Sequence, residues 1–288
     1  MLSLPLSSLE LTCLPLGFAV GVLAGLFGIG GAIITIPLFT VLPQWFGLPP
    51  LSMAAITGIS AVQALSASVG ALSAHWHRKT AQWGQLFPPV LALSVATMAG
   101  STAGGLASGH LSNSTLAFLY VCSNAFLLVV FLRKSRKPAQ GNLNDPRVAE
   151  APTTSLLQAA WQRHAVKTLL WLIVGGLGIG ILSGLLGIGG AFYVIPLLMK
   201  AFDFPLHQAV IGGSLSVIFI ALAATLGKAL AGVIPWQLAL LFTASSFAGG
   251  LFGATLSSRL SERTLTLGFV ALLCVCLLRG LWVWWFGL

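Results

Sequence analysis

The sequence predicts an all-α integral membrane protein built from two tandem homologous repeats. Of its 288 residues, 57% are hydrophobic and only 7% are charged. About a quarter of the residues of a soluble domain are charged, so this chain lacks the polar surface of a soluble fold. A glycine-rich motif that occurs twice predicts the repeats. The lipid bilayer is therefore the expected environment.

Long uncharged stretches indicate where the chain crosses the membrane. Lys, Arg, Asp and Glu are absent from residues 11–77 and 80–132, and one crossing needs about 20 apolar residues. Apolar windows predict eight helical segments, at 11–40, 51–74, 84–108, 114–132, 169–199, 206–231, 236–258 and 264–286. We therefore expect about four transmembrane helices in each repeat. The first segment is expected to be a retained helix and not a cleaved signal peptide.

The two halves carry matching stretches in the same order. Residues 25–32 read GLFGIGGA and residues 184–191 read GLLGIGGA, each followed by Pro-Leu at the same spacing. Two later pairs also match, 51–58 with 206–213 and 99–112 with 248–261. This order predicts a first transmembrane repeat at 1–132, a cytoplasmic linker at 133–168 and a second transmembrane repeat at 169–288.

The distribution of positive charge predicts the orientation. Seven of the 14 Lys and Arg residues lie between Arg133 and Lys167, and Arg78 and Lys79 lie between the second and third segments. Basic loops face the cytoplasm, so both regions are expected there. This bias accounts for the net charge of +9 without a nucleic-acid partner, because no basic face interleaved with aromatic residues accompanies it.

The duplicated glycine motif predicts that the first helix of each repeat is broken. Residues 11–47 would extend about 55 Å as one helix, well beyond a hydrocarbon core of roughly 30 Å. A broken helix with four spans per half would make the halves parallel, which is the arrangement we expect. If both arms of the first segment crossed the membrane, each half would have five spans and the halves would be inverted.

A break of this kind predicts a transport site for an anion. Glycine and proline free backbone N–H groups, which within a membrane must face protein or an aqueous cavity. N–H groups at the start of a half-helix favour a negative charge. Close helix packing is the alternative explanation for these glycines.

The polar residues of the predicted spans also favour an anion. No Asp or Glu occurs in any predicted span, whereas carboxylates within membranes usually carry protons or sodium ions. The candidate substrate-binding residues are the motif glycines and nearby polar side chains: Gly28, Gly30, Gly31, Thr35, Thr57, Ser60, Gln63, Gly187, Gly189, Gly190, Tyr193 and Ser214. Four further residues are expected near cytoplasmic helix ends, as a funnel for anions or as ordinary interfacial side chains: His75, His77, Arg78 and Lys228. No motif indicates a metal or another cofactor.

The layout resembles the sulfite exporter TauE/SafE family of bacterial permeases. The resemblance rests on the two glycine motifs with Pro37 and Pro196, and on residues 54–60 (AAITGIS) and 207–215 (HQAVIGGSL), which open the second helix of each half. It covers nearly the full chain. Members are linked to export or uptake of sulfite, sulfonates, thiosulfate and other small organic anions. The resemblance therefore implies a multi-pass secondary transporter of the bacterial cytoplasmic membrane that exports small sulfur-containing anions.

Other functions remain open at this point. One alternative is an importer of thiosulfate or another small organic anion, and another is a membrane scaffold that transports nothing. An enzyme is not expected, because the spans supply no nucleophile with a base, no carboxylate pair and no metal cluster. The sequence is compatible with a homo-oligomer and fixes neither the anion, the coupling ion nor the direction of transport.

Overall fold

The computed structural model describes residues 8–28, 30–47, 50–78, 83–135, 173–190, 193–195, 197–198, 206–257 and 259–286. All regular secondary structure in these residues is helical, as the composition predicts for a membrane protein of this class. Of the predicted linker 133–168, residues 136–168 lie outside the described part.

The described helices follow the apolar windows of the sequence within a few residues. They are α1 (Ser8–Phe27), α2 (Ala32–Phe39), α3 (Leu42–Trp45), α4 (Met53–Arg78), α5 (Trp83–Ala107), α6 (Asn113–Ser135), α7 (Ile173–Leu186), α8 (Leu206–Leu230), α9 (Trp236–Ser257) and α10 (Glu262–Phe286). Residues 193–195 and 197–198 are also helical. Within the part of the chain that the structure describes, four helical stretches are long and apolar enough to cross a membrane: Met53–Trp76, Gln208–Leu230, Trp236–Ser257 and Thr264–Trp282. Shorter apolar helices cover Thr12–Phe27, Asn113–Val129 and Ile173–Leu186.

Helices α4 and α8 form the centre of the bundle. In their most apolar windows, 72% of the α4 residues and 78% of the α8 residues are buried, against 39% in α9 and 28% in α10. Both central helices carry alanine, glycine and serine along much of their length, which lets neighbouring helices approach on several sides. The other helices surround this pair.

Glycines join the first helix of the chain to a helix of the second half. Gly21 and Gly25 on α1 face the backbone of Ser246 and Gly250 on α9, so closely that a Cβ atom on either glycine would overlap a carbonyl oxygen. Without a side chain, the two backbones come into direct contact. A larger residue at either position would force α1 away from α9.

The equivalent contact in the second half joins α7, the first described helix of that half, to α5 of the first half. Gly180 and Gly184 on α7 would overlap the carbonyl oxygens of Thr97 and Ser101 if either carried a Cβ atom. These glycines stand 159 positions after their counterparts on α1, the same offset that relates the two glycine motifs. Each half thus places its opening helix against the other half.

The contacts also give the relative directions of the helices. Parallel pairs show contacts at rising residue numbers, Ser66–Thr243 and Gly70–Phe247 for α4 and α9, and Ser101–Ile220 and Gly105–Ala224 for α5 and α8. Helices α4 and α8 are antiparallel, because Thr57 near the start of α4 meets Lys228 near the end of α8. The glycine contacts of α1 with α9 and of α7 with α5 also rise together in residue number. Helix α1 is therefore parallel to α4 and α9, whereas α7 is parallel to α5 and α8 and antiparallel to α1.

These directions correct one expectation from the sequence. The parallel halves that follow from four spans per half are wrong, since α1 and α7 run in opposite directions. The alternative with inverted halves is the one that matches. The physical reason is the glycine turn, which reverses the chain after α1, so that the first apolar segment is not a single crossing.

The first turn shows this reversal directly. Helix α1 ends at Phe27, and Gly31 at the start of α2 lies against Val20 and Ala24, earlier residues of α1. At the other end of α2, the ring centroid of Phe39 lies 5.0 Å from that of Phe242. Phe242 also meets Gly17 in the first half of α1, so α2 runs back toward the face where α1 begins.

Candidate functional site

The two glycine motifs have the same backbone conformation. The φ angles are +67°, +72° and +75° at Gly28, Gly30 and Gly31, and +65°, +74° and +74° at Gly187, Gly189 and Gly190. Residues with a Cβ atom are strained at such angles, so glycine is what permits these turns. Both motifs therefore make the same non-helical turn between two helical segments.

A helical segment begins directly after each turn. The N–H groups of Ile34 and Thr35 donate to the carbonyl of Gly31 at 3.0 and 3.2 Å, and the N–H group of Val194 donates to the carbonyl of Gly190 at 3.2 Å. The first N–H groups of a helix have no partner within the helix and carry the positive end of its dipole. Such groups attract anions.

The two turns meet half-way along the central helices. A Cβ atom built on Gly30 would lie 3.0 Å from Ala64 Cβ and 3.1 Å from Val217 Cγ1. One built on Gly189 would lie 2.7 Å from the same Val217 atom and 3.5 Å from Ala64 Cβ. Ala64 and Val217 are each the twelfth residue of their helices, which have 26 and 25 residues. Both glycine motifs therefore reach one point near the middle of the bundle.

The first glycine of each turn, Gly28 or Gly187, lies nearer an end of the two central helices. Gly28 lies against Val210, the fifth residue of α8, and Gly187 lies against Thr57, the fifth residue of α4. Because α4 and α8 are antiparallel, these two contacts lie at opposite ends of the central pair. The motifs thus approach the middle from opposite faces.

Predicted polar residues surround the first turn. Thr35 Oγ1 lies 3.2 Å from both the Gly31 carbonyl and Gln63 Oε1, and it donates its single proton to one of them. Gln63 Nε2 donates to Ser246 Oγ at 2.9 Å. The side chains of Thr35, Gln63 and Ser246 are fully buried. This chain of hydrogen bonds holds α2 against α4 and α9.

A second polar cluster surrounds the other turn. Lys228 Nζ donates to Thr57 Oγ1 at 2.8 Å and to the carbonyl of Leu185 at 3.1 Å. Ser60 Oγ lies 3.1 Å from the carbonyl of Gly187, to which it can donate. Thr57 and Ser60 belong to the first half of the chain, yet Ser60 can donate to the turn after α7, and Thr57 accepts from Lys228, which also binds Leu185 of α7. The structure therefore brings both predicted residues to the glycine turn of the other half.

Lys228 lies in a different place from the one expected. The sequence suggested cytoplasmic helix ends for both Lys228 and His75, but Lys228 meets the start of α4 while His75 lies near the end of that helix. Lys228 is 0% exposed, so it is neither a funnel residue nor an interfacial side chain. The inverted direction of α8 is the reason. The side chains of His77 and Arg78 lie outside the described part.

The remaining predicted residues are distributed differently. Tyr193 shares a short hydrogen bond with Ser123 of α6, which ties the second helical segment to that helix. Ser214 is fully buried on α8 between the residues that contact the two motifs, and its hydroxyl has no hydrogen-bond partner in the described structure. Tyr193 is thus held by α6, whereas Ser214 remains a candidate on the central helix.

Two serines that the sequence did not single out also lie beside the turns. Ser246 binds Gln63, and Ser183 Oγ lies 2.8 Å from where a Cβ atom on Gly190 would be. Ser183 is buried, and its hydroxyl lacks a partner among the described residues. It directly precedes the second glycine motif, which is a signal that the sequence offered. The site as a whole combines neutral donors, helix starts and one cation, a set that suits an anion.

A small pocket lies away from these turns. It opens between α2, α4, α6 and α10 and is lined almost wholly by apolar groups: Ile36, Pro37, Thr40, Met53, Ala117, Tyr120 and Gly280. None of the predicted substrate-binding residues lines it. Its chemistry does not suit an anion.

Comparison with known proteins agrees with a transport role. The protein from Haemophilus influenzae named "Probable membrane transporter protein" is 28% identical over 281 residues, covering 92% of this chain and 95% of its own length. A protein of the same name from Xylella fastidiosa is 29% identical, with 85% and 82% covered. "Probable membrane transporter protein YunE" from Bacillus subtilis is 24% identical, with 88% and 90% covered. No solved structure matches the chain.

The sequence profile described as "Sulfite exporter TauE/SafE" matches residues 13–280. This range includes both glycine motifs and every candidate residue of the two polar clusters. The match confirms the resemblance seen in the motifs. The chain is a membrane transporter that belongs to the sulfite exporter TauE/SafE family.

Proposed function

We propose that this protein is a secondary transporter that exports small sulfur-containing anions, such as sulfite or organosulfonates, across the bacterial cytoplasmic membrane. The observation that carries the proposal is the meeting of Gly30 and Gly189 against Ala64 and Val217, half-way along α4 and α8. Transporters bind their substrates near the bilayer midplane, at broken helices where two repeats meet. The substrate class is taken from the family to which the chain belongs.

The chemistry around the turns supports an anion as the substrate. Thr35 and Gln63 at one turn and Thr57 and Ser60 at the other are neutral hydrogen-bonding residues. Lys228 adds a positive charge. No Asp or Glu occurs in α2, α4, α7, α8 or α9, so no carboxylate on these helices would repel an anion. Helix starts at both turns add partial positive charge.

The inverted directions support an alternating-access mechanism. We propose that the halves are homologous repeats related by an axis in the membrane plane. Two such repeats exchange conformations when the transporter changes from inward-facing to outward-facing. The glycine contacts between α1 and α9 recur between α7 and α5 at the same sequence offset, as that exchange requires.

The same directions support a cytoplasmic location for the basic loops. With the end of α4 on the cytoplasmic side, twelve of the 14 Lys and Arg residues belong to cytoplasmic ends or connections. Only Lys228 and Arg279 then belong to the outer half. Four parallel spans per half would leave more basic residues outside, so the inverted arrangement fits the positive-inside rule better.

Transport by purified protein in liposomes tests the proposal. Liposomes are loaded with sulfite, thiosulfate, sulfoacetate or chloride, and efflux is followed for the wild type and for Gly30→Leu. We expect efflux of at least one sulfur-containing anion, and loss of efflux in Gly30→Leu because leucine fills the meeting point. Gly47→Leu is the matched control, since φ at Gly47 is +66° and no heavy atom lies within 4 Å of a Cβ atom there.

Two results would contradict the proposal. The first is a wild-type protein that is folded and reconstituted but moves none of the sulfur-containing anions. The second is a Gly30→Leu variant that is recovered in the membrane and transports as fast as Gly47→Leu. Size-exclusion profiles and unfolding temperatures in detergent separate a transport defect from a folding defect.

A further inference from the structure

Lys228 is a buried lysine with no carboxylate on the helices around it. Its side chain is 0% exposed, and α4, α7 and α8 contain no Asp or Glu. An ammonium group has three N–H donors, and the described structure gives this one two acceptors, Thr57 Oγ1 and the Leu185 carbonyl. A buried ion without a counter-charge is strongly unfavourable. The presence of a lysine at such a position therefore suggests that its positive charge has a functional role.

The ammonium group lies between the meeting point of the turns and the outer face. Its partner Thr57 precedes Ala64 by seven residues of α4, or about 10 Å along a helix. Lys228 comes from the last turn of α8, and helical side chains tilt toward the start of their helix, here toward the middle of the bundle. Its other partner, Leu185, lies two residues before Gly187. The cation is therefore beside the second glycine turn.

The position of the first half that corresponds to Lys228 holds no lysine or arginine. The offset that pairs residues 51–58 with 206–213 places Ser73 opposite Lys228 and Gly212 opposite Thr57. The first turn is met at Gly28 by the apolar Val210. A lysine that only capped a helix would be as useful at α1 as at α7, because both helices end in the same kind of glycine turn. A lysine at this position in the second half alone indicates a directional role.

We propose that Lys228 is a substrate-binding residue whose ammonium group pairs with the negative charge of the anion on the outer side of the glycine turns. This inference rests on the proposed transport function and adds the charged partner that the central turns lack. Thr57 and Leu185 hold the ammonium group in the absence of substrate. A small oxyanion supplies both a further acceptor and the counter-charge. A lysine, as a compact point charge, suits a small anion such as sulfite.

Two substitutions separate the charge from the hydrogen bond. Lys228→Gln keeps an N–H donor for the Leu185 carbonyl and removes the charge, whereas Lys228→Arg keeps the charge. Binding of sulfite and of thiosulfate is measured by calorimetry on purified protein in nanodiscs, together with the unfolding temperature. We expect the dissociation constant to rise at least about tenfold in Lys228→Gln, because a buried charge pair is lost. Lys228→Arg should retain most of the affinity.

A second readout responds to charge and not to helix capping. Thiosulfate is divalent and methanesulfonate is monovalent, so loss of a fixed cation weakens binding of the first more than of the second. The ratio of their affinities should therefore fall in Lys228→Gln. Lys228→Met replaces a buried ion with an apolar chain of similar length and answers the same question if Lys228→Gln is not recovered folded.

The outcomes distinguish failure of the transport function from failure of the binding role of Lys228. If the wild type binds and moves none of these anions, the transport function fails, and the role of Lys228 fails with it. If the wild type binds an anion but Lys228→Gln keeps the same affinity and the same divalent preference, Lys228 is only a helix cap. That second result overturns the inference while leaving the transport function intact.

Discussion

Gly189→Ala should lower both the free energy of unfolding and the rate of transport by more than the strain of alanine at a positive φ angle accounts for. Alanine at positive φ costs about 1–2 kcal/mol, and this cost applies equally at Gly232, where φ is +68° against +74° at Gly189. The surroundings differ. A Cβ atom on Gly189 would lie 2.7 Å from Val217 Cγ1, whereas one on Gly232 has no heavy atom within 4 Å.

This difference sets the expected magnitude. Overpacking a closely filled site costs about 1–3 kcal/mol, so Gly189→Ala should lower the free energy of unfolding by about 2–5 kcal/mol and Gly232→Ala by about 1–2 kcal/mol. Val217→Ala removes the atom that the new methyl group meets. In the double variant Gly189→Ala/Val217→Ala, about 1–3 kcal/mol should therefore be recovered relative to the sum of the single variants.

Stability and transport rate are both measured for each variant. Thermal or denaturant unfolding in detergent gives stability, and the initial rate of sulfite efflux from liposomes, normalised to reconstituted protein, gives transport. We expect Gly232→Ala to transport like the wild type and Gly189→Ala to be at least about tenfold slower, since about 1.4 kcal/mol on the rate-limiting step suffices for that. Equal stability and equal rates in the two alanine variants, with no coupling to Val217→Ala, would refute the reasoning.

Three further predictions concern the network, the topology and the driving force. Gln63→Leu removes the partner of Ser246 and one of the two acceptors within reach of Thr35, and should cost about 1–3 kcal/mol for the polar group left buried, measured as a larger fall in unfolding temperature than Ser66→Ala produces. In a cysteine-free background, Gly232→Cys should react with a membrane-impermeant maleimide added outside intact cells, and Arg259→Cys only after permeabilisation; the reverse pattern would restore parallel halves. Efflux of a divalent anion should follow an imposed membrane potential, worth about 2.3 kcal/mol per charge per 100 mV, without a pH or sodium gradient. Flux that follows an imposed pH gradient and ignores the potential would contradict this last expectation.

The helices were predictable because composition determines them. The apolar window at 206–231 and helix Leu206–Leu230 agree closely, since a bilayer requires a continuous apolar run and polar residues mark its ends. The positions of the breaks were predictable for a similar reason, because glycine and proline interrupt such runs. Both features depend on residues that are neighbours in the chain, so the sequence alone is enough to predict them.

The direction of the second half was not predictable in this way. At Gly28, Gly30 and Gly31 the turn depends on backbone angles that glycine permits and does not dictate. A kinked helix and a reversed chain therefore have the same sequence signal. The distribution of basic residues alone did not decide between the two arrangements, whereas the contacts between helices give their relative directions.

The partners of the polar residues were likewise beyond the sequence. Ser60 and Gly187 are 127 residues apart, and nothing near Ser60 indicates that it binds the turn of the other half. Lys228 looked like an ordinary lysine at a helix end because its burial comes from α4 and α7, which are distant in the chain. Long-range packing decides both cases.

The crossed glycine contacts also have a consequence for biosynthesis. Helix α1 packs on α9, so α1 cannot reach its final neighbour until the ribosome has added about 230 more residues. At about 5–20 residues per second, α1 waits roughly 10–50 s in the membrane before α9 arrives. During that interval its glycine face is open to lipids, to insertion factors or to another copy of the nascent chain. The late helices therefore complete the first half of the protein as well as the second, and truncation before α9 should leave α1 without its partner.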